Sequence, residues 1–491
     1  TALMGDSIVV VEKLVSNKIV YVNHDDLTDT DQTVTVKGPG IKTVAMNAAK
    51  DDKTIDAVTD SVIVDTVTLT DLAVGTSYEI TVGLYDVDTE EYITGIAVDG
   101  SANNLVQFKA TKADMEMDVK ITVDTTERLG HKLVVVETLR TGETVVAEHT
   151  ALTDTNQTVT VKTPTIKTHA FGADEKSTTI DCGKDVTIID VVDYTGLAVG
   201  KIYTLTAGLR DAATGDMIST EEPVSFVPKT EDGSVKITIN HVDTTKYIGG
   251  KIVVIESLKI DDKEIVNHDD IKDVDQTVTV KTPTIKTLAS DKISKNKILD
   301  KSENAVIVDT VSYTDLVPGT EYTIRASVYD KSAGAMVDGV TASKTFTPTT
   351  PNGTVDVEIT LDTTNMPSSK LVVFESLYES TTLIVDHSDK DDEDQSVTVS
   401  YPGIKTSASI NGEKTALKTK DAVIEDTVTY QGLTPGKSYT MTAELRDKTT
   451  GDVIDGVSVA PVTFEPTSAS GSVVVKITVD ATALKNNTVV V

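Results

Sequence analysis

The chain has 491 residues, enough for several domains of ordinary size, with 39% apolar and 4% aromatic residues, no Trp and a net charge of −32. That much negative charge excludes nucleic acid and anionic membrane surfaces as natural partners and keeps a long protein soluble. No apolar run is long enough to span a bilayer, no signal or anchor pattern is visible in this window, and the single Cys182 leaves no intrachain disulfide, so an extracellular rod would need another covalent staple.

Repetition governs the rest. Ile-Lys-Thr recurs with its threonine at Thr43, Thr168, Thr287 and Thr406, and a glutamine strand recurs at Gln32, Gln157, Gln276 and Gln395. One period therefore runs from each Ile-Lys-Thr to the next glutamine strand. Complete repeats span 38–162, 163–281 and 282–400. Residues 1–37 read as the end of a preceding repeat and 401–491 as most of a following one. Thr1-Ala2-Leu3 and Thr482-Ala483-Leu484 stand at equivalent points of the cycle, as expected of a window cut from a longer array.

Within the third repeat the elements follow in order. A short strand at Ile-Lys-Thr leads into a polar stretch, Asp291 to Asn304. An alternating strand comes next, Val306 to Tyr313, then a turn at Pro318-Gly319 and a strand from Tyr322 to Tyr329. A turn from Lys331 to Gly334, a strand near Phe346, a turn at Asn352-Gly353, and strands Val355–Leu361 and Lys370–Glu375 precede the last strand, Gln395 to Val399. Period-two alternation, abundant Val and Thr, and Gly/Pro/Asn turns predict an all-β fold of tandem immunoglobulin-like antiparallel β-sandwiches. Between Gln276 and Thr287 the connection holds one Pro and no Gly, which predicts stiff stacking into a rod.

Three further polar positions keep this register. A buried-strand aspartate recurs as Asp65, Asp190, Asp309 and Asp426. A glutamate twenty residues before each glutamine recurs as Glu12, Glu137, Glu256 and Glu375. A histidine eight residues before it recurs as His24, His149, His268 and His387. Alternation places Asp309 on the face of Ile307 and Val311, and Glu375 on the face of Leu371 and Val373, so both carboxyls are expected to point inward, where they need a partner or a proton. A threonine, a base, two acids and a carboxamide make an acyl-transfer set. Threonine attacks the glutamine carboxamide, ammonia leaves, and an ester joins the first strand to the last. His387 or Asp309 takes the hydroxyl proton; which carboxyl is acid and which is base stays open. Amide-to-ester exchange needs fixed proximity, which supplies effective molarities on the order of 10⁵ M or more.

These residues resemble the repeat domains of Gram-positive surface adhesins that form intramolecular Thr–Gln ester bonds. The resemblance rests on Val372-Val373-Phe374-Glu375, with looser versions at Val253–Glu256 and Val134–Glu137, and on the run from His387 to Gln395. It covers the whole chain. It implies cross-links Thr43–Gln157, Thr168–Gln276 and Thr287–Gln395, assisted by Asp65, Glu137 and His149, by Asp190, Glu256 and His268, and by Asp309, Glu375 and His387. Gln32 and Thr406 are half-sites, attended by Glu12, His24 and Asp426. Asn156 departs from the pattern, since Asp31, Asp275 and Asp394 precede the other glutamines.

The expected function is a stalk or fibre of an extracellular adhesin at the cell surface or cell wall. Its partners are neighbouring repeats of the same protein, with any host ligand bound by domains outside this window. Alternatives are a ligand-binding module, a hydrolase, or a head-to-tail filament with Gln32 joined to Thr406 of a neighbour. No cofactor or metal is called for. The Asp-rich loop Asp389–Asp394 lacks the glycine of a calcium-binding EF-hand and reads as solvated.

Overall fold

The structure, a computed structural model, describes residues 3, 5–484 and 488–491. Thr1 and Ala2, half of the terminal equivalence noted above, lie outside the described residues. By contacts the chain forms two bodies. One holds Thr1–Ile180, Thr187–Asn240 and Gly250–Thr279; the other holds Asp181–Val186, His241–Gly249 and Val280–Val491. The full sets of candidate residues in the first two repeats lie in the first body, and the third lies in the second.

The third repeat shows the design. Its strands are β1 (Thr284–Asp291), β2 (Ile298–Leu299), β3 (Ala305–Thr314), β4 (Tyr322–Asp330), β5 (Ala335–Phe346), β6 (Gly353–Leu361), β7 (Lys370–Glu379), β8 (Thr382–His387) and β9 (Ser396–Val399). One sheet has the order β1-β3-β6; the other runs β2-β9-β7-β4-β5, with β8 on β7. All pairs are antiparallel except β2 with β9, which the alternation pattern does not reveal. Between the sheets, Ile307, Val311, Ile324, Val328, Val357, Ile359, Leu371, Val373 and Val397 are at most 1% exposed. Each contributes about 1.5–3 kcal/mol on burial. The first repeat repeats the arrangement, with strand Gly40–Asn47 beside Ser61–Thr70 and strand Lys132–Thr141 beside Thr158–Val161.

Two local devices recur. A tyrosine hydroxyl accepts a hydrogen bond from the backbone N–H five residues earlier, at Tyr78–Ala73, Tyr203–Ala198 and Tyr322–Val317. Gly353, expected in a turn, is instead the first residue of β6. A Cβ there would collide with the Tyr313 hydroxyl, as it would at Gly233 with Tyr194. The structure also extends the glutamate strand to Glu379 and folds it back as a hairpin, so the histidine ends a strand that the sequence pattern did not separate.

Candidate functional site

The recurrent polar residues meet between the sheets. In each repeat the first sheet supplies threonine and aspartate. Thr43 is cross-strand from Val67 while Asp65 faces Ala45, so the two lie on one face two residues apart; Thr168 with Asp190 and Thr287 with Asp309 repeat this. The second sheet supplies the other three. Glutamate and histidine are direct cross-strand partners, as Glu137–His149, Glu256–His268 and Glu375–His387. A one-residue bulge two to three positions further along each hairpin fixes the twelve-residue spacing that the sequence shows. The glutamine precedes the last strand, and its carbonyl accepts the N–H of the residue two before the glutamate, as in Val135–Gln157 (3.0 Å), Val254–Gln276 (3.0 Å) and Val373–Gln395 (3.0 Å).

All three glutamines are 0% exposed and the carboxyls nearly so. In the first repeat Thr43 Oγ1 lies 3.2 Å from Glu137 Oε2 and 3.2 Å from His149 Nδ1. The Gln157 amide donates to Thr43 Oγ1 at 3.1 Å and to Glu137 Oε2 at 2.8 Å. In the second, Thr168 Oγ1 is 3.3 Å from His268 Nδ1, and Gln276 donates to Glu256 at 2.5 Å. In the third, Gln395 donates to Glu375 and, at 3.4 Å, to the His387 carbonyl; Thr287 Oγ1 and His387 Nδ1 are buried without a hydrogen bond.

The electrostatics split each carboxyl pair. Burial, reinforced by the facing aspartate, pushes Glu137, Glu256 and Glu375 up to about 10, so each glutamate holds a proton at neutral pH. Burial raises the aspartates too, Asp190 to about 7. Asp65 and Asp309 are also raised by burial, and are pulled back first by the side-chain hydrogen bond with the facing glutamate and then by a nearby histidine and lysine.

The aspartate five residues after each histidine, part of the run from His387 to Gln395, has no role assigned by the sequence alone. The outer nitrogen of each histidine meets an aspartate five residues on: His149 Nε2 to Asp154 (2.9 Å), His268 to Asp273 (3.0 Å) and His387 to Asp392 (3.4 Å). That bond assigns the Nε2–H tautomer and leaves Nδ1 free to accept the threonine proton. A fixed His-plus-five aspartate was the available signal. The departure at Asn156 also has a reason. Asn156, Asp275 and Asp394 each use their main-chain carbonyl to accept the N–H of Ala45, Ala170 and Ala289 at 2.9 Å, so the side chain is free to vary.

The half-sites are divided. Gln32 donates to Glu12 at 2.7 Å and His24 reaches Asp29 at 3.1 Å, and all four residues are exposed or half-buried. Thr406 is exposed and shares its strand pair with the buried Asp426. Among the described residues neither half meets its complement.

The model of the T-Q ester bond containing domain matches residues 1–36, 39–161, 164–280, 283–399 and 402–491, nearly the whole chain. The chain belongs to this family. It is a tandem array of T-Q ester bond domains, modules that cross-link themselves. No curated protein matches it. The solved structures similar to it include two of a bacterial adhesin from Mobiluncus mulieris containing intramolecular disulfide, isopeptide and ester bond cross-links. One is 16% identical, covering 53% of this chain and 91% of that one at a TM-score of 0.24; the other is 14% identical, covering 69% and 98% at 0.23. So distant a likeness adds nothing to the family membership. Among the described residues of this T-Q array, no helix is long and apolar enough to cross a membrane.

Proposed function

We propose that the chain is the stalk of a bacterial surface adhesin, displayed outside the cell, whose repeats 38–162, 163–281 and 282–400 each close one ester: Thr43–Gln157, Thr168–Gln276 and Thr287–Gln395. The observation that carries this reading is the buried Thr43 hydroxyl, within hydrogen-bond reach of a histidine nitrogen, a glutamate oxygen and the glutamine amide together.

The chemistry follows from that geometry. His149 Nδ1 takes the hydroxyl proton as Thr43 Oγ1 attacks the Gln157 carboxamide carbon. Glu137, kept protonated by burial, stands at the amide nitrogen and gives its proton to the departing ammonia. The imidazolium then returns its proton to the carboxyl pair, so one C–O bond replaces one C–N bond and ammonia is the only product. Sandwich burial supplies the proximity and excludes the water that would hydrolyse the ester. Each site closes once, so the module is not a turnover enzyme.

The test is the intact mass of the denatured chain. Three ammonia masses are expected to be missing, and Thr→Ala at 43, 168 and 287 is expected to restore one each. An unmodified mass sinks the reading. In the same assay Asp154→Ala, which frees the His149 ring to turn and to change tautomer, is expected to slow closure of the first pair by about 10–100-fold while the other two form normally.

A further inference from the structure

The three complete sites are not alike at one flanking position. Lys53 reaches back over the first site. Its ammonium donates to the carbonyl of Ala45, two residues beyond the nucleophile Thr43, and at 2.5 Å to the carbonyl of Asn156, the residue before the acyl donor Gln157. Lys297 does the same in the third repeat, to Ala289 at 2.7 Å and Asp394 at 2.5 Å. One carbonyl belongs to the first-sheet strand of the nucleophile and the other to the turn that leads into the last strand of the second sheet, so each lysine ties the nucleophile strand to the glutamine segment alongside the backbone bond already there. Both are half-buried, and each has a buried aspartate, Asp65 or Asp309, among the charges that act on it.

The second repeat has Thr178 at this place. Its equivalence is fixed by the same backbone bond: Lys53, Thr178 and Lys297 each accept, through the main-chain carbonyl, the N–H of Thr160, Thr279 and Thr398 in the last strand. Among the described residues no lysine donates to the Ala170 carbonyl. The final, partial repeat is two residues shorter between Thr406 and Asp426; counted back from the aspartate, Lys414 stands where Lys53 and Lys297 stand, bonds the Ala408 carbonyl at 2.6 Å and acts on Asp426. The same repeat position thus carries a lysine on the same carbonyl in the first, third and final repeats, and a threonine in the second.

We propose that Lys53 and Lys297 are positioning residues for ester formation, holding the acyl donor against the nucleophile strand and placing a cation beside the buried carboxyl pair, and that the second repeat, lacking one, closes its ester more slowly and over a narrower pH range. The inference rests on the ester reading above. When the glutamate gives its proton to the leaving ammonia, two carboxylates face each other between the sheets. A fixed ammonium offsets that charge in the first and third repeats. The groups facing Asp65 are Glu137, His149 and Lys53, with Asp154 behind the histidine; Asp190 faces Glu256, and among the described residues no lysine acts on it, Lys167 beside Thr168 reaching instead the Asp275 carboxylate at 3.6 Å. The histidine base stands at all three sites, so the informative quantity is the difference between sites.

The experiment is cell-free synthesis of the full chain at pH 5.5–8.5, quenched at timed points and digested. The joined Thr–Gln peptides of each repeat are counted by mass spectrometry. In the parent chain the second pair is expected to close about tenfold more slowly than the others, with the gap widening as pH rises and Asp190 ionises. Thr178→Lys is expected to bring the second pair to the rate and pH profile of its neighbours. Lys53→Thr is expected to move the first pair to the profile of the second, with Lys53→Arg restoring it. Threonine is the natural residue at this place in the second repeat, so the loss variant does not threaten folding. Three pairs with one shared profile, unmoved by Thr178→Lys and Lys53→Thr, overturn the lysine proposal and leave the esters standing. No ammonia lost from any pair overturns both.

Discussion

Thr43→Ala, Thr168→Ala and Thr287→Ala together are expected to turn a chain that barely lengthens under load into one that unfolds stepwise. With the bonds formed, tension enters a repeat at its threonine, crosses the ester and leaves at its glutamine. Between one glutamine and the next threonine only ten residues lie in the load path, as from Gln276 to Thr287. The 114 positions from Thr43 to Gln157 are shielded. Without the ester they can extend by ~3.5 Å each, or about 400 Å in that repeat. Single-molecule pulling across the three complete repeats, between positions 37 and 401, checks this: the parent is expected to show no repeat-sized steps, the triple variant three. Repeat-sized steps in a parent chain whose mass shows all three ammonias lost would mean that load bypasses the bonds. Loop closure of this length also limits the unfolded chain. By analogy with disulfides the triple variant is expected to lose about 4–5 kcal/mol of stability per repeat, read as a lower denaturant midpoint.

Much of this site is legible in the sequence because strands are periodic. A side chain's face follows from parity, so the inward aim of Asp309 and Glu375 can be read from Ile307, Val311, Leu371 and Val373, and the structure buries both. The repeat does the rest: five residues in register stand out against drifting surfaces. What parity cannot give is which strands share a sheet. That Thr287 and Asp309 sit on one sheet and Glu375, His387 and Gln395 on the other depends on long-range pairing, and it is why the bond would join the two sheets. Loop contacts were equally hidden. Asp392 looks like one acid among many until the fold sets it against His387. Lys297 looks like a surface lysine until it meets the carbonyls of Ala289, on the nucleophile strand, and Asp394, in the turn before the glutamine. Asn156 looks like a defect because a sequence shows side chains, whereas this position works through its backbone.

Glu375→Gln is expected to move function and stability in opposite directions. The substitution keeps shape and removes the proton that the leaving ammonia takes, so closure of the Thr287–Gln395 pair is expected to slow by about 10²–10⁴-fold, with the mass of that repeat unchanged over the same time course. The same carboxyl is a liability to the fold. Glu375 sits at about 10 when folded, above its ordinary value of 4.5. The folded state therefore holds a proton that the unfolded state releases. A carboxyl raised in this way contributes its full stability below pH ~4.5 and loses it as pH rises through the folded value, at up to about 1.4 kcal/mol per pH unit. In a Thr287→Ala chain, where no ester masks the effect, the third repeat is expected to become less stable from pH 5 to pH 8. Adding Glu375→Gln is expected to flatten that slope and raise the denaturant midpoint at pH 8. A slope that survives the substitution would place the proton elsewhere, with Asp309 the next group to test. This is the behaviour expected of a residue kept for one chemical step: the repeat carries a buried acid that weakens it until the bond forms, and the bond then more than offsets the loss.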